Sequence, residues 1–295
     1  MNEKYKQDFF RAGQLAKEVR AYGLSLIKKG ASYNETIDKI RAKIHTLGAE
    51  PAFPPQIALN DTAAHFLPEP GTDIIFQEDV VKLDIGICYQ GAIGDCAATV
   101  DLSGKYQKLI LATEEALLAA ENSLQVGMPV REIGRIIEEK ILLHGFTPIR
   151  NLSGHGLGFY QIHTSPHIPN YHDRSTAILK PGMTFAIEPF ATNGKGLIFE
   201  TENPTIFVLT ATASSYKNPT PLVQRMLSFR GLPFALHDLV EVCSLKLVKT
   251  EIAHLKKQGL LAEYGPLIEE EGGMVAQAEN SVLIDEKGKV FITTR

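Results

Sequence analysis

Four carboxylates and one histidine, Asp84, Asp95, His155, Glu188 and Glu279, each stand in a short apolar or glycine-rich run of this 295-residue chain. An ionised carboxylate in such a run is expensive to bury unless something offsets its charge. Four of them brought into one cavity would repel and take up protons, so a fold that gathers them must also gather cations. Two divalent ions cancel a formal charge of about −4. The set therefore requires a fold in which distant segments converge on one metal-binding interior. Carboxylate oxygens with a single imidazole favour manganese, iron(II), cobalt or magnesium over the thiolate-rich surroundings of structural zinc, with zinc itself still compatible. A paired-metal hydrolase is the reading that uses all five residues.

Composition narrows the class further. With 44% hydrophobic residues the chain can bury a large core, as one large domain or one domain with an insertion. Thirty Lys and Arg against 34 Asp and Glu leave a net charge of −4, too balanced for a nucleic-acid or acidic-membrane footprint. The odd cysteine count (Cys88, Cys96, Cys243), with Cys88 and Cys96 in apolar strand-like runs, predicts free buried thiols and a reducing compartment. Neither an uninterrupted signal core within Met1 to Lys29 nor a run of roughly 18 apolar residues is present. Cytoplasmic residence is the expectation.

Apolar positions recur at helical intervals from Tyr5 to Lys29 and again from Ser32 to Leu47, predicting two opening helices. Prolines, Asn60 and Asp61 break regular structure between Pro51 and Pro70, and Val80 to Val100 then alternates as a hairpin. Helices follow at Tyr106 to Gln125 and Val130 to His144, then a polar histidine-rich loop introduced by Pro148 and Gly154. Buried strands are expected at Met183 to Phe190 and Glu279 to Ile284. A helix-rich layer backing a strand-rich layer is an α+β arrangement. Thr205 to Tyr264 differs in character, reading as a small helical insertion with helices at Pro221 to Phe229 and Glu241 to Gln258 around a Gly231 and Pro233 turn.

Each motif has a bland alternative. A turn centred on Tyr89 and Gln90 would set Asp84 directly across the hairpin from Asp95, roughly 4.5–5.5 Å apart at Cβ. Paired surface aspartates are the competing reading, but two unneutralised carboxylates in that register are destabilising and Asp is a poor strand former. Asp101 belongs to the hairpin exit. Between Gly154 and Gly156, His155 has room to be oriented as a ligand, although a lone histidine in a glycine loop is more often structural. Glu188 and Glu279 could each instead sit in a buried salt bridge. His65, His163, His167 and His172 could each polarise a carbonyl or shuttle a proton, and residue chemistry alone does not rank them.

The motifs Asn60 to His65, Asp84 to Asp95, Asn151 to His155, Ile187-Glu188-Pro189-Phe190-Ala191-Thr192 and Ala276 to Glu279, in this order along almost the whole chain, resemble those of methionine aminopeptidases. The long interval between Glu188 and Glu279 is similar to type II enzymes of the archaeal form. The resemblance implies a pita-bread (creatinase/aminopeptidase) fold over residues 1–204 and 265–295, with residues 205–264 as an inserted helical, winged-helix-like subdomain. It also implies two divalent metal ions (Mn, Fe(II), Co or Zn). Asp84 would chelate one of them, Asp95 and Glu279 would bridge the two, and His155 and Glu188 would complete the ligand set of the second metal. Asn280 departs from the pattern, since many relatives carry a histidine there, which puts an outer contact in question but no metal ligand.

The implied reaction removes the initiator methionine from nascent proteins and peptides with a small second residue. Hydroxide activated by the two metals would attack the first peptide bond. Glu188 is the expected proton acceptor, and His65 and His163 match the family histidines that contact the scissile peptide. By the same resemblance Phe53, Pro54, Ile162 and Tyr264 wall the side-chain pocket, although each could equally be ordinary core. The expected partners are nascent polypeptide N-termini near the ribosome, without direct nucleic acid or membrane binding, and the expected state is a monomer. Two other readings compete. One is an Xaa-Pro aminopeptidase or prolidase using the same five ligands. The other is a non-catalytic relative that binds ribosomes or RNA, which would have lost ligands and gained basic surface.

Overall fold

The computed structural model describes residues 2–210 and 218–295. Two long helices open the chain. Asn2 caps α1 (Glu3–Leu26) by accepting the Tyr5 N–H, and Ser32 caps α2 (Tyr33–Thr46) by accepting that of Glu35. The helical spacing read from the sequence puts Phe9, Ala12, Leu15, Ala16 and Val19 of α1 inside, against strands Val80–Tyr89 and Ala92–Asp101. The closeness of this packing is set by Gly94, where a Cβ would stand 2.4 Å from the Ala12 carbonyl oxygen. Strands Glu50–Pro51 and Gln56–Leu59 pair along the other edge of Val80–Tyr89. The first half is thus two helices on an antiparallel sheet.

The second half repeats the plan. Helices α3 (Gln107–Ser123) and α4 (Val130–Leu143) bury Leu109, Ala116, Ile133, Ile137 and Ile141 with Phe185, Ile187, Val282 and Ile284 of the facing sheet. That sheet runs Val290–Ile292, Asn280–Ile284, Thr184–Ile187, Ser153–Gly158, Gln161–Pro169. The α+β expectation holds.

One seam joins the halves. The N–H and carbonyl of Ala97 exchange hydrogen bonds with those of Glu279. Two residues to one side, Ser281 Oγ accepts from the Asp95 N–H (2.7 Å) and donates to the Asp95 carbonyl (2.8 Å). Two residues to the other, Thr99 Oγ1 does the same for Gln277, at 2.8 and 2.7 Å. Asp95, Ala97 and Thr99 therefore face Ser281, Glu279 and Gln277 in one antiparallel register, with hydroxyls standing in for backbone groups at both ends. This seam brings Asp95 and Glu279 together.

Three local expectations need correcting. The hairpin turn is Gln90-Gly91, both at positive φ (51° and 87°) as a two-residue turn of this hand requires, and not Tyr89-Gln90. Asp84 consequently faces Ala97, and Asp95 faces Gly86. The two aspartates are diagonal neighbours on one face, roughly 7–8 Å apart at Cα instead of directly opposed. The histidine-rich segment is a hairpin, Ser153–Gly158 with Gln161–Pro169, whose edge strand alternates exposed polar residues and so lacks an apolar signature. In the 205–264 segment, α5 (Pro221–Ser228) matches the first expected helix. The second, expected over Glu241 to Gln258, is α7 (Leu245–Lys257), and a short helix not expected, α6 (Leu236–Val240), precedes it. A small sheet of Ile206–Leu209, Phe234–Ala235 and Leu261–Tyr264 accompanies them, and residues 211–217 lie outside the described part. The segment has its own core of Phe207, Val223, Met226, Phe234, Leu239 and Val248.

Candidate metal centre

The five residues converge where the two sheets meet. Asp84 and Asp95 come from the first hairpin, His155 from Ser153–Gly158, Glu188 from just past Thr184–Ile187, and Glu279 from the seam. Asp95, His155 and Glu279 each bring one ligand atom within 4.8 Å of the others, and so do Asp84, Glu188 and Glu279. Glu279 is common to both sets. These sets are proximities, and they group Asp84 with Glu188, which the resemblance assigns to different ions. His155 reaches the site because its neighbours are glycines: a Cβ at Gly154 would meet the Ala186 carbonyl oxygen at 2.3 Å, and one at Gly156 that of Ser165 at 2.2 Å.

Burial dominates the electrostatics. Asp95 and Glu279 are each 1% exposed. The carboxyl of Asp84 is pushed up to about 7 by burial, against an opposing contact from Gln277. Those of Asp95, Glu188 and Glu279 are driven well above the usual carboxylate range, first by burial and then by one another's charge. Among the described residues, Asp84 Oδ1, both oxygens of Asp95 and both of Glu279 are buried without a hydrogen-bond partner. Buried acceptors are rarely left so, and a cation among them is the group that would satisfy all of them. The ring of His155 fits the same reading. Its Nδ1 faces the Gly156 carbonyl at 3.3 Å and so carries the proton, leaving the Nε2 lone pair 3.7 Å from Asp95 Oδ2. Burial lowers this imidazole to about 3, so it stands neutral, as a ligand must. The donor set fits divalent metal.

A cavity of about 210 Å³ opens on these groups. His65, His163 and His167 line it, whereas His172 lies beside Glu132 on the outer face of α4. The rings of His155 and His163 meet edge to face at 4.5 Å between centroids, and those of His65 and Tyr264 at 5.2 Å. His65 and His163 both take a positive φ of 59°, a backbone conformation that turns them from their neighbours' course, and burial lowers each to about 4. Phe53, Ile162 and Tyr264 line the cavity as expected. Pro54 does not: it faces a second cavity of about 500 Å³ behind the Phe53 wall.

Several site residues were not anticipated. Gln277 donates its amide to Glu188 Oε1 at 2.8 Å, and Ser281 and Thr99 form the seam. Arg20 of α1 reaches the carbonyl of Glu279 (3.0 Å) and the Asn280 side chain (3.2 Å). Asn280 turns from the cavity into a buried network, donating to Glu121 and accepting from Arg20 and Thr294. Gln277, Ser281 and Arg20 carry no local signal for these contacts, which span 89, 186 and 259–260 residues of sequence.

Among the described residues no helix is long and apolar enough to cross a membrane. Residues 7–285 match the model of metallopeptidase family M24. The chain is 37% identical over 288 residues to a methionine aminopeptidase of Pyrococcus horikoshii, covering 96% of this chain and 97% of that one. Of solved structures, a methionine aminopeptidase from Thermotoga maritima superposes with a TM-score of 0.73 at 21% identity, covering 100% of this chain and 98% of that one. A thermophilic Arx1 superposes at 0.82 with 14% identity, covering 99% and 91%. The two superpositions establish the pita-bread fold. By the family match and this relative over nearly its full length, with five convergent side chains that could hold metal, the chain belongs to metallopeptidase family M24 and, within it, to the methionine aminopeptidases.

Proposed function

We propose that this chain hydrolyses the first peptide bond of nascent proteins and peptides that carry a free N-terminal methionine and a small second residue. We further propose a type II, archaeal-like organisation, in which residues 205–264 are an inserted subdomain on a catalytic body of residues 1–204 and 265–295. Two divalent ions (Mn, Fe(II), Co or Zn) would be held by Asp84, Asp95, His155, Glu188 and Glu279. The five buried carboxylate oxygens without partners carry this reading, since the protein alone leaves them unsatisfied.

Divalent metal held by these five residues would offset the buried carboxylate charge and supply Lewis-acid chemistry for a carbonyl and a water near neutral pH. Glu188, with Oε1 held by Gln277, offers its other oxygen to accept the proton of the attacking water and pass it to the departing amine. His65 and His163 are neutral at pH 7, so each can donate from one N–H to the developing oxyanion or the leaving nitrogen without adding charge. His65 Nδ1 has no partner among the described residues and is free for that contact. Phe53, Ile162 and Tyr264 offer an unbranched thioether an apolar slot, and crowding at its mouth selects a small second residue. The protein acts as a monomer on polypeptide N-termini emerging near the ribosome, without binding nucleic acid itself.

The test is a panel of peptides on the metal-loaded enzyme. Methionine is expected from Met-Ala-Ser and not from acetyl-Met-Ala-Ser or Met-Leu-Ser. Release from Ala-Pro in preference to Met-Ala-Ser would replace this reading with that of a prolidase.

A further inference from the structure

The wall of the proposed methionine pocket is thin. Phe53 lines the 210 Å³ cavity in front, while Pro54 lines the 500 Å³ cavity behind, and Pro233 of the 205–264 segment lines both. Leu232, 3% exposed, packs in the same cluster as Phe53, with Tyr160 and Ile162 against it. A wall that divides two cavities is packed on fewer sides than ordinary core, so its position also depends on how its ends are tied.

Those ends meet at one side chain. Arg230 donates from Nη1 to the Tyr160 hydroxyl at 2.6 Å and from Nη2 to a carboxylate oxygen of Glu50, and its guanidinium lies over the Tyr160 ring at 4.3 Å. Glu50 stands three residues before Phe53, Tyr160 two before Ile162, and Arg230 two before Leu232. The guanidinium thus ties together all three segments that build the wall. The local backbone serves that reach, since Arg230 and Gly231 both take positive φ (57° and 88°), folding the chain back so that Leu232 and Pro233 enter the wall. Tyr160 is itself anchored, its N–H bonded to the carbonyl of Gly91 in the first hairpin.

We infer that Arg230 is a positioning residue that sets selectivity for methionine by locking the 229–233 loop, the Tyr160 turn and the Glu50–Phe53 segment into one rigid pocket wall. It touches neither substrate nor metal ligands. The inference rests on the aminopeptidase reading. Loss of the lock lets the wall yield into the space behind it, so the pocket admits branched first residues such as leucine and holds methionine less well.

The experiment compares hydrolysis of Met-Ala-Ser and Leu-Ala-Ser by wild type, Arg230→Ala, Arg230→Lys and Tyr160→Phe, each metal-loaded. An exposed pair stacked on an aromatic ring is modest in strength, so the expected effect is about three- to tenfold. Arg230→Ala raises KM for Met-Ala-Ser by that factor with kcat within about twofold, and narrows the Met-to-Leu ratio of kcat/KM similarly. Arg230→Lys keeps the charge toward Glu50 but loses the flat, forked contact, and falls between the two. Tyr160→Phe, which removes only the hydroxyl contact, moves the ratio the same way by less. An unchanged KM and ratio in Arg230→Ala overturns the inference, as does a fall in kcat that is equal for both peptides and accompanied by loss of bound metal. Absence of methionine release by the metal-loaded wild type would instead refute the underlying aminopeptidase reading.

Discussion

Ser281→Ala cuts the seam that joins the two halves. Ser281 is fully buried, and its hydroxyl is the partner of both the N–H and the carbonyl of Asp95. The substitution strands two buried backbone groups, each costing about 1–3 kcal/mol. Because Ala97 and Glu279 still exchange their bonds two residues away, the strand can partly relax, and the expected loss is about 2–3 kcal/mol in all. For a chain of this size that lowers Tm by roughly 3–5 °C. Asp95 also loses the support that fixes its carboxylate against Glu279, so metal affinity should fall about 10- to 100-fold, as for other outer contacts of metal ligands. Urea denaturation of the metal-stripped protein measures the first effect, and titration with Mn²⁺ measures the second. Ser228→Ala, which removes one helix-surface bond to the Arg225 carbonyl, is the control and should change neither. A stability loss under about 0.5 kcal/mol with unchanged metal affinity would refute the seam as the element that holds Asp95.

Three further outcomes are expected. Glu188→Gln should lower kcat by at least about 100-fold on Met-Ala-Ser while the protein stays folded, and near wild-type turnover would remove Glu188 as proton acceptor. Asp84→Asn should weaken metal binding by at least about tenfold, and full metal content by elemental analysis would exclude it as a ligand. The metal-stripped protein should become less stable as pH rises above about 6.5. There the raised carboxyls, Asp84 at about 7 and Asp95, Glu188 and Glu279 well above the usual carboxylate range, bind more protons in the folded than in the unfolded state, so stability is lost as pH climbs through their folded values. Below that pH the lowered imidazoles of His65, His155 and His163 act in the opposite sense, because the unfolded chain protonates them first. Thermal melts from pH 5 to 9, with and without Mn²⁺, test this: stabilisation by metal should grow with pH, and a flat difference would contradict it.

That the five residues would converge was legible because a carboxylate inside Leu83 to Ile85 or Ala276 to Leu283 conflicts with its neighbours unless it has a task. The helices were legible for a simpler reason, the period of positions such as Phe9, Ala12, Leu15 and Val19. The exact turn was not, since moving it from Tyr89-Gln90 to Gln90-Gly91 keeps every side chain on its face and changes only which residues pair. The hairpin around His155 was hidden by polar residues on an edge strand, and α6 by its length, since five residues are too few to display a helical period. Pro54 was assigned to the pocket with Phe53, but with Pro55 it lines the cavity behind the wall, in an irregular segment whose side-chain directions no sequence period announces. Ser281, Gln277 and Arg20 owe their roles to pairing between halves that no local pattern announces.

The most direct test of the metal-dependent peptidase is methionine release from Met-Ala-Ser by stripped enzyme, followed as Mn²⁺, Co²⁺, Fe²⁺ or Zn²⁺ is added in measured equivalents. The account predicts no release without metal, activity that rises with added ion and saturates near two equivalents, and silence toward Met-Leu-Ser throughout. Undiminished release from the stripped enzyme, or none with any metal despite native folding and bound ion, would contradict it.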